Sequence, residues 1–251
     1  RKYPERDLSF YTAMTYGNPS LRAVMTLAES EGCDEFLIIP LYPQYAGATT
    51  GAVFDKMVAA TTGRIIPNLR FVSEYHDHPK YIHALAKSVE TYNDSIAHGA
   101  HLLFSFHGIP MSQSNAGDPY AEQCVTTAER VAHALGLKQD QWSVSFQSKF
   151  GPAPWLEPAT IDQMKAFPAA GKKDLLVICP GFSVDCLETI EEIRVENQTA
   201  FMEAGGTSFQ YIKALNATRD HVALMIALIE ERLFERELRG APQNTNKFQQ
   251  V

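Results

Sequence analysis

Leu102-Leu103-Phe104-Ser105-Phe106-His107-Gly108-Ile109-Pro110 is the stretch that decides the fold class of this chain. Its first five residues are apolar on consecutive positions except for one serine. The run has the length of a strand, and it does not alternate as a half-exposed strand would. A strand with such a run is covered on both faces, as in a parallel sheet flanked by helices. Gly108 and Pro110 then punctuate it. Similar short runs lie at 36–41, 69–72, 142–146, 175–179 and 208–212. Longer amphipathic stretches separate them. The first covers 19–31, with Asn18 as N-cap and Pro19 at the first helical position. The others cover 79–96, 118–135 closed by Gly136, 185–204 ahead of Gly205-Gly206, and 220–239 closed by Gly240. Strand–helix alternation predicts an α/β fold with a mainly parallel sheet. Two groups are expected, 1–98 and 99–218, with the helix and tail of 219–251 packing back on the first.

Composition narrows the function. Among 251 residues, 22 Lys and Arg face 29 Asp and Glu, a net charge of −7. That argues against a nucleic-acid partner, which needs clustered positive charge, and leaves a cationic ligand such as a metal ion open. No apolar run approaches the roughly 20 residues that span a bilayer, and the opening carries no secretory apolar region. The chain begins with Arg1 on a polar stretch and is expected to lack an N-terminal piece. Cys33, Cys124, Cys179 and Cys186 form no C-x-x-C pair. They read as free thiols of a reducing cytoplasm, and no iron–sulfur cluster is expected.

In open α/β sheets, ligands sit beyond the carboxyl ends of the strands. The segments there are 40–45, 105–110, 146–151 and 180–185, all rich in Gly, Pro, aromatic and polar residues. His107 closes the central run on a stiff turn. It is placed to act as a base or a metal ligand, or equally as a structural histidine. Asp185, Glu188, Glu192 and Glu196 fall along one face of the expected helix. Such a stripe offers hard oxygen ligands to a divalent metal. Asp185-x-x-Glu188 alternatively reads as a capping box. The loop after 146 carries Gln147, Ser148, Phe150 and Trp155 among three prolines, either as a wall for a planar apolar ligand or as a rigid loop packing on its own strand. Thr49 and Thr50 open a helix and would either receive an anion or cap it. No phosphate-binding glycine motif and no nucleophile elbow is present.

Six blocks, in order, carry a family resemblance. They are Tyr16-Gly17-Asn18-Pro19-Ser20, Pro40-Leu41-Tyr42-Pro43-Gln44-Tyr45, Ser105-Phe106-His107-Gly108-Ile109-Pro110, Gln147-Ser148-Lys149-x-Gly151-Pro152-x-Pro154-Trp155-Leu156, Cys179-Pro180-Gly181-Phe182 with Asp185-x-x-Glu188-Thr189-x-x-Glu192, and Tyr211-Ile212-x-Ala214-Leu215-Asn216. Together they resemble the ferrochelatase family. The resemblance implies two Rossmann-like halves with a cleft between them, and insertion of Fe²⁺ into protoporphyrin IX to give protohaem, the last step of haem synthesis. It implies His107 and Glu188 as the catalytic pair, with His107, Glu188 and Glu192 meeting the metal. Tyr16, Tyr42, Gln147, Ser148 and Trp155 would bind the porphyrin. Iron enters as substrate, and no tightly bound cofactor is expected. Substrate and product are sparingly soluble, so a cytoplasmic protein with peripheral contact at the inner membrane is expected. A coproporphyrin-specific or other tetrapyrrole chelatase, and a non-catalytic porphyrin or haem carrier, are the alternatives. The chain departs from the family pattern in four places. The N-terminal strand and lip, with their Asn-Leu-Gly-Thr-Pro type motif, are absent. Thr15 stands where many bacterial members have Arg, the C-terminal cysteine cluster of some members is missing, and Cys186 stands where others carry His.

Overall fold

The computed structural model describes residues 7–233. Each of the apolar runs becomes a strand: β1 (Glu35–Ile38), β2 (Asn68–Phe71), β3 (His101–His107), β4 (Trp142–Gln147), β5 (Asp174–Ile178) and β6 (Ser208–Ile212). β1 and β2 pair in parallel as a two-stranded sheet, and the other four form a parallel sheet in the order β4-β3-β5-β6. The helices are α1 (Leu21–Ser30), α2 (Ala52–Thr61), α3 (Pro79–Glu90), α4 (Asn93–Ala97), α5 (Met111–Asn115), α6 (Tyr120–Ala134), α7 (Thr160–Ala166), α8 (Gln198–Glu203) and α9 (Arg219–Leu233). A π-helical turn, Gly47–Gly51, leads into α2, and a π-helix, Glu188–Asn197, leads into α8.

The consecutive apolar residues of β3 are explained by what covers each face. Leu102, Phe104 and Phe106 enter one core with Tyr81, Leu85 and Val89 of α3 and Cys124, Ala128 and Val131 of α6. Leu103 turns to the other face, where Met164, Phe167, Ile193 and Phe201 gather. Phe104 is fully buried, so truncating it to alanine costs about 3–5 kcal/mol.

Several helix boundaries differ from expectation. Ser20 caps α1, its Oγ accepting the Ala23 N–H at 3.3 Å, so the helix begins two residues after Pro19. The stretch 79–96 is two helices, because Thr91 and Tyr92 turn the chain: Thr91 Oγ1 donates back to the Ser88 carbonyl and Tyr92 N to the Val89 carbonyl, both at 2.8 Å. α5 and α7 were not expected; two turns or fewer are too short to display a period. The last helix starts at Arg219, and its expected end near Arg239 lies outside the described residues. α9 packs along α3 and reaches β1.

The two sheets meet through loops. Ser183 Oγ donates to the Leu41 carbonyl at 2.9 Å, Tyr81 Oη to the Pro180 carbonyl at 2.5 Å, and Gln44 Nε2 to Thr127 Oγ1 at 3.0 Å. The first joins the carboxyl-end loops of β5 and β1 directly; the other two tie the β5 loop to α3 and the β1 loop to α6. Among the described residues no helix is long and apolar enough to cross a membrane.

Candidate active site

His107 is the last residue of β3, in register with Gln147, the last residue of β4. The ring is half-buried, and its Nδ1 lies 2.6 Å from the Gly108 carbonyl oxygen. A carbonyl only accepts, so Nδ1 carries the proton and Nε2 of the neutral ring keeps the lone pair. Two aromatic rings flank the imidazole: Trp155 at 6.5 Å and Phe182 at 6.4 Å between centroids. Gly108 makes this arrangement reachable. Its N–H donates to the Gln147 carbonyl at 2.8 Å. A Cβ there would stand 3.1 Å from that carbonyl oxygen and 3.2 Å from Trp155 Cε3. The Trp155 strap is fixed in turn by Met111 N to the Pro154 carbonyl and Leu156 N to the Ile109 carbonyl. The buried Trp155 Nε1 has no hydrogen-bond partner among the described residues.

Glu188 opens the π-helix. Its carboxyl is held below the usual carboxylate range first by a hydrogen bond from the Cys186 thiol, then by its own backbone N–H. The charge that His107 can carry acts in the same direction, while burial opposes all three. His107 and Glu188 are thus within electrostatic reach, the first at the end of β3 and the second on the helix that follows β5.

The expected row of four carboxylates is not what the chain builds. Asp185 precedes the helix and turns toward β6. Tyr211 Oη donates to its Oδ1 at 2.7 Å and Asn216 Nδ2 to its Oδ2 at 2.8 Å; Ala214 N and Thr189 Oγ1 each donate to Oδ1 at 3.2 Å. Burial raises the Asp185 carboxyl, and these bonds, led by Asn216, outweigh it and keep it below its ordinary range. The capping box is absent as well, since the Asp185 N–H goes to Asn216 Oδ1 at 2.9 Å and not to a Glu188 oxygen. Asp185 ties the start of the π-helix to the loop after β6. Glu196 is exposed.

Glu192 is engaged rather than bare. Ser148 N donates to its Oε1 at 2.6 Å and Ser148 Oγ to its Oε2 at 2.5 Å. Gln147 is only 2% exposed, its side chain turned to partners inside the protein. Its amide nitrogen reaches the Glu188 carbonyl at 3.1 Å and Glu192 Oε2 at 3.4 Å. Its amide oxygen accepts from Ser105 Oγ at 2.9 Å and Cys179 Sγ at 3.5 Å. Behind it, Ser105, Thr160 and Ser145 form a buried hydroxyl row with spacings of 2.9 and 2.8 Å. Among the described residues, no three His, Cys, Asp or Glu side chains lie together as a ready metal cage. His107, Glu188 and Glu192 therefore do not form a closed ligand set in this conformation.

Tyr42 is half-buried next to Leu41 on the loop that Ser183 anchors. Tyr16 is 70% exposed ahead of α1. Thr50 Oγ1 is buried without a hydrogen-bond partner among the described residues, and Asp118 Oδ2 already takes the Gly47 N–H at 2.8 Å, so that helix start is capped by a side chain. Phe182, Tyr211 and Asn216 were not singled out for these roles. The signal for Phe182 was an aromatic residue just beyond a strand's carboxyl end. No sequence signal marks Tyr211 and Asn216 as partners of Asp185, from which they lie 26 and 31 residues away.

Comparison with known proteins places the chain in a family. A ferrochelatase family model matches residues 1–233. The chain is 46% identical over 228 residues to a ferrochelatase of Alcanivorax borkumensis, covering 90% of this chain and 67% of the relative. It is 48% identical over 218 residues to one of Aeromonas hydrophila, covering 86% of this chain and 67% of the relative. The chain thus spans about two thirds of the length of these curated relatives. The fold resembles the sirohydrochlorin chelatase SirB of Bacillus subtilis subspecies spizizenii, described in complex with cobalt, with TM-score 0.59 at 10% identity over 86% of this chain and 76% of that one. With a family model matching across its described length and relatives 46% and 48% identical, the chain belongs to the ferrochelatase family of metal chelatases.

Proposed function

We propose that this chain carries the chemistry of inserting Fe²⁺ into protoporphyrin IX, the two segments 1–98 and 99–218 closing over the ring. The observation that carries the proposal is His107. Its protonated Nδ1 is spent on Gly108, which leaves the Nε2 lone pair between two aromatic rings and within reach of the Glu188 carboxylate. The reaction needs two pyrrole N–H protons removed and one divalent metal delivered. His107 Nε2 takes a pyrrole proton as general base. Glu188, kept ionised by Cys186, receives the second proton or passes the metal. Trp155 and Phe182 supply flat apolar contact, and a rigid wall of this kind favours the distorted ring whose nitrogens are exposed. The reaction requires no resident prosthetic group, since iron is a substrate.

Anaerobic insertion of Fe²⁺ by this chain, beside a version extended at its N-terminus to the length of the relatives, tests the proposal. Haem formation by either, lost in His107→Ala, supports it. Porphyrin binding without insertion by both would instead mark a carrier. Turnover on coproporphyrin exceeding that on protoporphyrin would reassign the substrate. Phe150 and Leu187, 84% and 75% exposed beside the site, favour a peripheral encounter with a bilayer. Co-sedimentation with anionic vesicles, weakened in Phe150→Ser, checks that part.

A further inference from the structure

We infer that Ser148 is a positioning residue, a two-point latch at the carboxyl end of β4 that clamps Glu192 and thereby sets the π-helix so that Glu188 stands across from His107. The inference rests on the proposed function above and adds a residue to its machinery. One side chain and one backbone group of Ser148 hold both oxygens of a single carboxylate, at 2.6 Å from the N–H and 2.5 Å from the hydroxyl. Short hydrogen bonds to an ionised acceptor are stronger than neutral ones. Gln147 reinforces the clamp from the neighbouring position, reaching Glu192 Oε2 and the Glu188 carbonyl. Three donors from two adjacent residues therefore hold two turns of one helix.

The backbone at Ser148 identifies the latch as a built feature. Its φ is +63°, in the left-handed region that side-chain-bearing residues rarely occupy. Such a conformation persists only where surrounding contacts over-determine it. Here it coincides with the N–H and hydroxyl of the same residue converging on one carboxylate. The helix so held is π-helical over Glu188–Asn197. Hydrogen bonds spanning five residues are rare and cluster at functional sites. With Glu192 pinned to β4, Glu188 is the carboxylate left to face His107, and Glu192 meets a metal only when the latch opens.

Three variants separate the hydroxyl from the turn. Ser148→Ala removes the hydroxyl and keeps the strain. Ser148→Gly removes the hydroxyl and relieves the strain. Ser148→Asn tolerates the left-handed conformation and returns a donor through its amide. Losing a hydrogen bond to a charged group corresponds to roughly tenfold or more. The alanine and glycine variants are therefore expected to lower kcat for Fe²⁺ insertion about tenfold, with KM for protoporphyrin within about twofold, and the asparagine variant to recover most of the loss. In the ligand-free chain, backbone hydrogen exchange over 188–197 is expected to quicken in the alanine and glycine variants and to slow again with asparagine. A glycine variant matching the parent in both readouts would reduce Ser148 to a turn residue and overturn the inference. Unchanged exchange in Ser148→Ala would do the same. The exchange measurement needs no turnover, so a parent chain that inserts no metal counts against the proposed function while the latch is still decided.

Discussion

Two histidines bracket β3, and their surroundings make them opposites. His101 opens the strand, is 3% exposed, and its Nε2 lies 2.8 Å from Ser143 Oγ and 3.3 Å from Lys172 Nζ. Burial, then the lysine charge, push its pKa down to about 4. His107 closes the strand, half-buried, with an acidic helix rather than a lysine within reach. The same side chain on the same strand is a neutral spacer at one end and, in the proposed function, a proton acceptor at the other. What differs is the end of the strand: a carboxyl-end loop opens outward where ligands gather, while the amino end is closed by Phe167 and Lys172.

The largest expected effect breaks this contrast at the rim. His107→Ala should lower initial rates of metal insertion by about 10²–10⁴-fold, the usual weight of a general base, while the circular-dichroism melt stays within a few degrees of the parent. A near-parent rate would make the two histidines equivalent after all. The second prediction concerns stability. The folded chain keeps His101 neutral down to about pH 4, whereas an unfolded imidazole takes its proton near 6.5. Between those values the unfolded chain binds more protons, so stability falls as pH drops through that window and levels off below it. Denaturant titrations at pH 7 and pH 4 should differ by about 3 kcal/mol from this residue, and His101→Gln should remove that share of the difference.

A smaller effect is expected beside His107. Gly108→Ala places a methyl 3.1 Å from the Gln147 carbonyl and 3.2 Å from Trp155 Cε3. Overpacking of this kind costs about 1–3 kcal/mol, and displacement of the Trp155 strap should slow insertion, which paired melts and rate assays would register. The smallest effect sharpens the other end. Lys172→Met removes the second cause of the His101 shift, so its titration, followed by imidazole NMR signals, should move back toward the ordinary range while burial still holds it low.

The strands were legible because a parallel sheet with both faces covered writes itself as consecutive apolar residues, as Leu102–Leu103–Phe104 does. His107 was legible for a related reason: a polar residue ending such a run can only stand at its rim. The acidic row was misread. An α-helical period aligned Asp185 with Glu188, but the helix begins at Glu188 and is π-helical, and nothing in residue types announces a change in hydrogen-bond span. Gln147 and Ser148 were placed at the right strand end, but not their hydrogen bonds to the π-helix. Those partners lie 41 to 45 residues away, a separation that only folding closes.

The hydroxyl row behind Gln147 has an electrical consequence. The Gln147 oxygen can only accept, so Ser105 must donate to it, which leaves Ser105 to accept from Thr160 and Thr160 from Ser145. Each O–H dipole then points the same way, and aligned dipoles polarise one another. The amide N–H₂ at the front of this queue presents the accumulated positive end to the Glu188 carbonyl and the Glu192 carboxylate. The protein thereby draws the Glu192 carboxylate to the rim of its sheet through an uncharged amide.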